Sequence, residues 1–306
     1  VIYADDLVDM FRVDAVRYFV LHEMPFENDG VITWELMVER MNSDLANTLG
    51  NLVNRTISMT NKYLGGVAED KGVAESVDDE LKSFVLSVPK KVEEKMDKLR
   101  VADAITEVFR LFKRCNKYID ETEPWVLGKD ETKKDRLSTV LYNLVESIVI
   151  GASLLEPFMP ETTEKILAQL NAKKRGYEEM ATFGQYESGT KVTDSPEILF
   201  MRLDPKEVLA KAEEIKQKQM AEAKAESGEE DASEEEGIDI EAKPEITFDD
   251  FMKMQFQVGE IIACEEVPKS KKLLCSQVKI GSEVKQIVSG IKKYYSPEEM
   301  VGKKVM

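Results

Sequence analysis

Apolar positions recur at helical spacing over the first two thirds of the chain and at strand spacing near its end. Leu7, Phe11, Val16 and Phe19 predict a helix over residues 5–21, ended by Pro25 and the Asn28-Asp29-Gly30 turn. Thr33 then caps a long helix through about Tyr63, with Glu35 and Glu39 in its first turns, where negative charge suits the helix dipole. Leu45, Leu49, Leu52, Met59 and Tyr63 form one stripe of that helix, Thr56 fills the remaining slot, and Gly65-Gly66 stops it. Residues 67–79 read as an acidic connection. Val101, Ile105, Val108, Phe112, Cys115 and Ile119 repeat at steps of four and three, and Pro124 suits the first position of a new helical turn. Leu137, Leu141, Leu144, Ile148, Ala152 and Leu155 mark a further helix, separated by Pro157 and Pro160 from another over residues 161–170. Residues 176–196 read as irregular, and 198–203 as a short strand or packing tail. The pattern predicts a mostly α protein built on an antiparallel helix bundle.

Beyond residue 203 the texture changes twice. Residues 206–225, rich in Ala, Lys, Glu and Gln, read as an exposed helix or a semi-rigid spacer. Residues 227–244 lack aromatics and read as a disordered acidic linker. Short β-type runs follow at 257–265, 275–280 and 284–288, punctuated by Pro268, Gly281 and Gly290. Short strands with glycine-marked turns fit a small β-barrel of the OB type, which binds single strands on one face. The stretch after Ile246 is too short for five strands, so a truncated barrel is expected. The chain starts without Met and ends in what reads as the start of a strand, so it reads as a fragment.

Charge sharpens this division. The net charge of −17 over 306 residues argues against nucleic acid only if it is evenly spread. It is not: residues 229–241 hold eight acids and no base, whereas residues 269–304 hold nine lysines against three glutamates. An acidic spacer followed by a basic module suits a tethered binder. Hydrophobic content of 42% and charged content of 33% describe a globular chain. No apolar run reads as reaching the roughly 20 residues that span a bilayer. Cys115, Cys264 and Cys275 form no CxxC pair, and the single histidine, His22, cannot complete a zinc site with them. A reducing, cytoplasmic setting, no metal in this chain and no membrane partner are therefore expected. His22 reads as a surface or helix-end residue.

The face opposite the apolar stripe of the long helix carries the candidate chemistry. Asn47, Asn51, Asn54, Arg55 and Ser58 gather there, where glutamate and lysine are the usual solvated choice. Side-chain amides around one arginine can read the edges of unpaired bases and stack a guanidinium on them. The plainer alternative is a polar face that braces neighbouring helices.

Longer stretches carry a family resemblance. VIYADDLVDMFRVDAVRYFVLHEMPFENDG, DLANTLGNLVNR and NKYIDETEPWVLGKD resemble the region after the KMSKS loop of bacterial-type methionyl-tRNA synthetases. The last piece, from ITFDDFMKMQFQVGEII to IVSGIKKYYSPEEMVGKK, resembles the tRNA-binding OB domain fused to many of them. The resemblance divides the chain into the end of the catalytic core with its connecting helix (1–30), a helical anticodon-binding domain (31–203), a charged flexible linker (204–245) and an incomplete tRNA-binding OB domain (246–306). It implies that Asn51 and Arg55 contact the CAU anticodon, that Trp125 stacks under its first base, and that Asn116 and, behind it, Asp120 position these groups. Asn47, Asn54 and Ser58 are then left to brace neighbouring helices. Lys269, Lys271, Lys272, Lys285, Lys292 and Lys293 are expected to meet the tRNA backbone.

Gln257 and Lys285 stand where family members often have arginine, so the planar, stacking fork is lost there. The resemblance implies a methionine–tRNA ligase whose ATP-binding Rossmann domain, HIGH and KMSKS motifs and zinc insertion lie outside this sequence. No catalytic residue and no cofactor are expected in this chain, its partner is tRNA(Met), and dimerisation is expected through a complete OB domain. The alternatives are a free-standing, non-catalytic tRNA-binding cofactor and a helical scaffold whose amide face binds protein.

Overall fold

The computed structural model describes residues 2–24, 30–226, 253, 256–268 and 270–306, with the backbone alone for 222–226. The chain divides into a helical unit, residues 1–230, and a β unit, residues 231–306. The acidic run read as disordered and the Pro25–Asp29 turn lie outside the described residues.

The first predicted helix is two, α1 (Ala4–Phe11) and α2 (Val13–Glu23). Arg12 separates them with φ 71°, a conformation no helix interior can contain. The break buries Phe11 and frees α2 to clamp the far side of the bundle. Asp14 accepts a hydrogen bond from the Thr162 amide at 2.6 Å, and Arg17 donates to the carbonyls of Phe158 and Pro157 at 2.8 and 2.9 Å. One short helix thereby satisfies exposed backbone groups at two helix ends.

Thr33 caps the next helix as expected, accepting from the Leu36 amide at 3.1 Å. The winding then departs from the sequence reading. After α3 (Trp34–Arg40), residues Met41–Gly50 form a π-helix, which α4 (Asn51–Leu64) continues as ordinary α-helix. The Asn51 amide bonds to the Ala46 carbonyl, five residues back, and the Thr48 hydroxyl donates to the Ser43 carbonyl at 3.0 Å. The wide coil is braced from outside. Asn42 and Leu203 exchange two hydrogen bonds at 2.9 and 2.8 Å, and the backbone of Phe200 passes close to Gly50. Residues 198–203 are thus the packing tail rather than a strand, with Leu199 buried. Gly65, at φ 61°, ends α4 in the left-handed conformation.

The acidic connection gives way earlier than its composition indicates, to α5 (Ser76–Met96). Glu75 and Asp78 form a reciprocal capping box at its start, and Leu81, Val85, Val88 and Val92 are its buried face. Pro89 inside this helix masks its helical signature in sequence. It packs along α6 (Val101–Thr122), and α8 (Lys134–Leu155) fills the centre with every residue from Arg136 to Leu155 buried. Residues 131–155 do pass as a membrane span by length and apolarity, contrary to the sequence reading, and that apolar window lies wholly inside the bundle. The acid within it, Glu146, holds Arg175 at 2.5 Å and accepts from the amides of Gly184, Gln185 and Tyr186. After α9 (Pro160–Gln169), an irregular stretch returns to pair β2 (Thr190–Lys191) with β1 (Val67–Ala68). Helix α10 (Pro205–Glu226) packs on α3 with Val208 and Ala212 buried, and Gln219 donates to Asp6 at 2.8 Å.

The β unit contains β3 (Gly259–Glu266), β4 (Leu274–Ile280), β5 (Glu283–Ser289) and β6 (Lys304–Val305), all paired antiparallel in the order β5-β4-β3-β6. The three predicted β runs correspond to β3, β4 and β5, and the last residues do form strand. A bulge between Ile261 and Ala263 curls the sheet. Its small core is Ile261, Leu274, Val278 and Met300, the last from the short helix α11 (Pro297–Met300).

Candidate nucleic-acid interface

Asn51 and Arg55 stand one turn apart on α4, both exposed, with Leu52, Val53, Thr56 and Ile57 buried behind them. Among the described residues neither side chain makes a hydrogen bond or ion pair. The core therefore fixes their helix while both polar groups remain free for a ligand. Ser58 and Asn47 are exposed and Asn54 is half-buried. These three make no side-chain hydrogen bond among the described residues either, so they do not brace neighbouring helices as expected. That work falls to residues the sequence reading passed over: Asn42, and Asn61, which donates to the Thr193 carbonyl at 2.8 Å.

Trp125 arrives by a different route. Glu123, at φ 42°, ends α6, and Pro124 opens the single turn α7 (Pro124–Leu127) from its first position. Pro124 is buried and Trp125 is 36% exposed, so the turn is anchored by the proline and presents the indole. The residue after the turn, Gly128, abuts the ring of Tyr63 on the last turn of α4, joining the indole-bearing turn to the helix of Asn51 and Arg55.

Asn116 does not present its amide group outward. It is half-buried and its Nδ2 donates to the Thr48 carbonyl at 3.0 Å and the Phe112 carbonyl at 3.1 Å. It ties α6 to the π-helical segment immediately before Asn51, as a positioning residue would. Asp120 is exposed on the same helix.

A buried polar cluster locks the helix ends around α7. Arg136 bonds Asp78 through two nitrogens, at 2.7 and 3.0 Å, and the Val73 carbonyl at 3.0 Å; the Tyr118 hydroxyl donates to Asp78. Burial pushes the Asp78 carboxyl up, but hydrogen bonds from Arg136, Tyr118 and the Glu75 amide outweigh it and hold the group below its ordinary range. Burial pushes the Tyr118 hydroxyl up, so it remains a donor.

His22 lies in the last turn of α2, stacked on Tyr18 with ring centroids 5.2 Å apart and bonded to Glu23 and Thr106. Among the described residues no group of three or more His, Cys, Asp or Glu side chains could hold a metal.

In the β unit, the candidate lysines separate. Lys271, Lys272 and Lys293 are exposed on one rim, where the Lys292 amide bonds to the Lys272 carbonyl at 3.2 Å. Lys292 is half-buried with its amine on Glu266 at 2.6 Å. Lys285 projects from β5 and lies 3.9 Å from Glu283, and Lys269 lies outside the described residues.

Family comparisons map onto these parts in order. Residues 1–57 match the model "tRNA synthetases class I (M)", 78–232 match "Anticodon-binding domain of tRNA ligase", and 256–306 match "Putative tRNA binding domain". Methionine–tRNA ligase of Clostridium perfringens is 45% identical over 300 residues, 98% of this chain. The chain belongs to the methionine–tRNA ligase family. The Bacillus subtilis methionine–tRNA ligase is 42% identical over 304 residues, again 98% of this chain. This chain spans about half the length of these curated relatives, 45% of each. The solved apo structure of Mycobacterium tuberculosis methionyl-tRNA synthetase superposes with a TM-score of 0.62 at 33% identity, covering 67% of this chain and 42% of that one. Within the methionine–tRNA ligase family, this chain holds Asn51 and Arg55 inside the class I match and Trp125 and Asn116 inside the anticodon-binding match.

Proposed function

We propose that this chain selects tRNA(Met) by its CAU anticodon and retains it through the β unit, as the tRNA-binding part of a methionine–tRNA ligase. The observation that carries this reading is an exposed indole on a proline-anchored turn that abuts α4, the helix whose Asn51 amide and Arg55 guanidinium have no intramolecular partner among the described residues. The indole offers a stacking surface to one unpaired base, and Asn51 and Arg55 offer donors and an acceptor to base edges. The rim of Lys271, Lys272 and Lys293 adds salt-sensitive attraction to phosphates.

In this reading, methionine activation with ATP, and any zinc, belong to the catalytic part outside this sequence. A cytoplasmic location follows from the same role, as does dimerisation through a complete OB domain. Titration of the chain with a CAU anticodon stem-loop tests the reading. Trp125→Ala is expected to weaken binding by roughly 1–3 kcal/mol. Unchanged binding would remove Trp125 from the site.

A further inference from the structure

We propose that Tyr294 and Tyr295 form a stacking site for an unpaired RNA base, with Lys293 and Lys303 supplying the cations for its flanking phosphates. The two rings are 72% and 43% exposed. Neither belongs to the small core of the unit, which Ile291 on one side of them and Met300 on the other do join. Their backbone is nonetheless fixed: the amides of Tyr294 and Tyr295 both bond to the Ile291 carbonyl, at 2.9 and 3.1 Å. Ser296 and Glu299 then close a capping box that sets the start of α11. A turn held this firmly with its aromatic rings turned outward presents a stacking surface at little entropic cost.

The charges around the rings select the ligand. The Lys303 amine lies 4.2 Å from the centre of the Tyr295 ring, and the Lys293 amine 5.9 Å from that of Tyr294. Two of the nearby acids are engaged: Glu266 holds Lys292 at 2.6 Å, and Glu299 accepts from the Ser296 amide at 2.9 Å. A cavity of ≈ 290 Å³ opens against Lys292, Lys293 and both tyrosines. Aromatic faces flanked by amines are what a single-stranded nucleic acid offers a match for, with bases for the rings and phosphates for the cations. A protein partner would gain the apolar rings but would have to desolvate the amines. The site rests on the tRNA-binding reading of this chain and adds to it a base-contacting pair, where only lysine–phosphate contacts were expected.

The test titrates the full chain with a labelled single-stranded oligoadenylate, which contains no CAU triplet; because the Trp125 indole can stack any base, each variant is compared with Trp125→Ala in the same assay. Tyr294→Leu is expected to weaken binding about 5- to 150-fold, and Tyr294→Trp to preserve it. Lys293→Ala is expected to reduce the salt dependence by about 0.7 in log–log slope. Circular dichroism establishes that each variant is folded, and an unaltered CAU stem-loop titration confirms it for the two Tyr294 variants. Wild-type oligoadenylate affinity in Tyr294→Leu would overturn the proposal. So would a shift in sedimentation mass with no change in RNA affinity, which would assign the tyrosines to self-association.

Discussion

The ring of Tyr63 lies so close to Gly128 that a β-carbon at position 128 would fall 2.6 Å from both Cδ1 and Cε1 of the ring. Tyr63 lies in the last turn of the helix that carries Asn51 and Arg55, and Gly128 follows the turn that carries Trp125. This contact therefore helps set where the Trp125 turn sits against the helix of Asn51 and Arg55. Gly128→Ala is expected to destabilise the chain by about 1–3 kcal/mol through overpacking and to displace the turn. Urea denaturation reads the first effect and CAU stem-loop titration the second. Combining it with Tyr63→Leu, which makes room for the methyl group, should recover most of the stability. No recovery would mean that the contact is not what strains the variant.

Asn116 makes a different kind of prediction because its amide faces inward. Its two donated bonds, to Thr48 and Phe112, hold α6 against the π-helical segment. Asn116→Ala should cost about 1 kcal/mol in urea unfolding. Asn116→Asp should cost more, since a carboxylate would set an acceptor against two carbonyl oxygens. Both variants should lose stem-loop affinity with little change in its salt dependence. If Asn116→Asp proves as stable as wild type, the amide is not serving as a donor.

The bundle and the strands were legible because their cores repeat: Leu45, Leu49 and Leu52 mark the buried face of one helix, and the apolar stripe from Leu137 to Leu155 runs along a helix that is buried on every side. Asn51, Arg55 and Trp125 stand out in the sequence through their motif and not through periodicity, since a polar face alone gives them no precedence over Asn47, Asn54 and Ser58. What stayed hidden depends on long-range partners. The π-winding of residues 41–50 is supported by Leu203 and Asn116, far away in sequence. The break at Arg12 is rewarded by contacts to Phe158 and Thr162 across the bundle. Helix α5 is obscured in the sequence by Pro89 and by an acidic start that has the composition of a connection.

Glu146 shows how a charge survives in the most buried helix. Its carboxylate receives two nitrogens of Arg175 and three backbone amides, which together stitch residues 175–186 to α8. Glu146→Gln leaves Arg175 buried without its counter-ion and should cost about 3–5 kcal/mol. Proteolysis should then cut within residues 175–190 faster than elsewhere in the bundle. Uniform susceptibility along the chain would show that this stretch is held by other contacts.

Asp78 and Arg136 predict a pH dependence whose sign can be worked out. The Asp78 carboxyl is held below its ordinary value of 3.8 in the folded chain. The unfolded state therefore binds this proton more readily, and the stability the group contributes is complete above that pH. It is lost as the pH falls below 3.8 and through the lower folded value. Asp78→Asn removes the charge at every pH and leaves Arg136 with only Glu75, at 3.3 Å, as a charged partner. The variant should be about 3–5 kcal/mol less stable at neutral pH. The gap to wild type should narrow as acid protonates Asp78 in the wild-type chain. Because Asp78 and Arg136 fasten α5 to α8 beside the Trp125 turn, stem-loop affinity should fall along with stability. Thermal melts of both proteins across pH 3–7 measure the gap, and a gap that stays constant into acid would show that the ion pair is not its source.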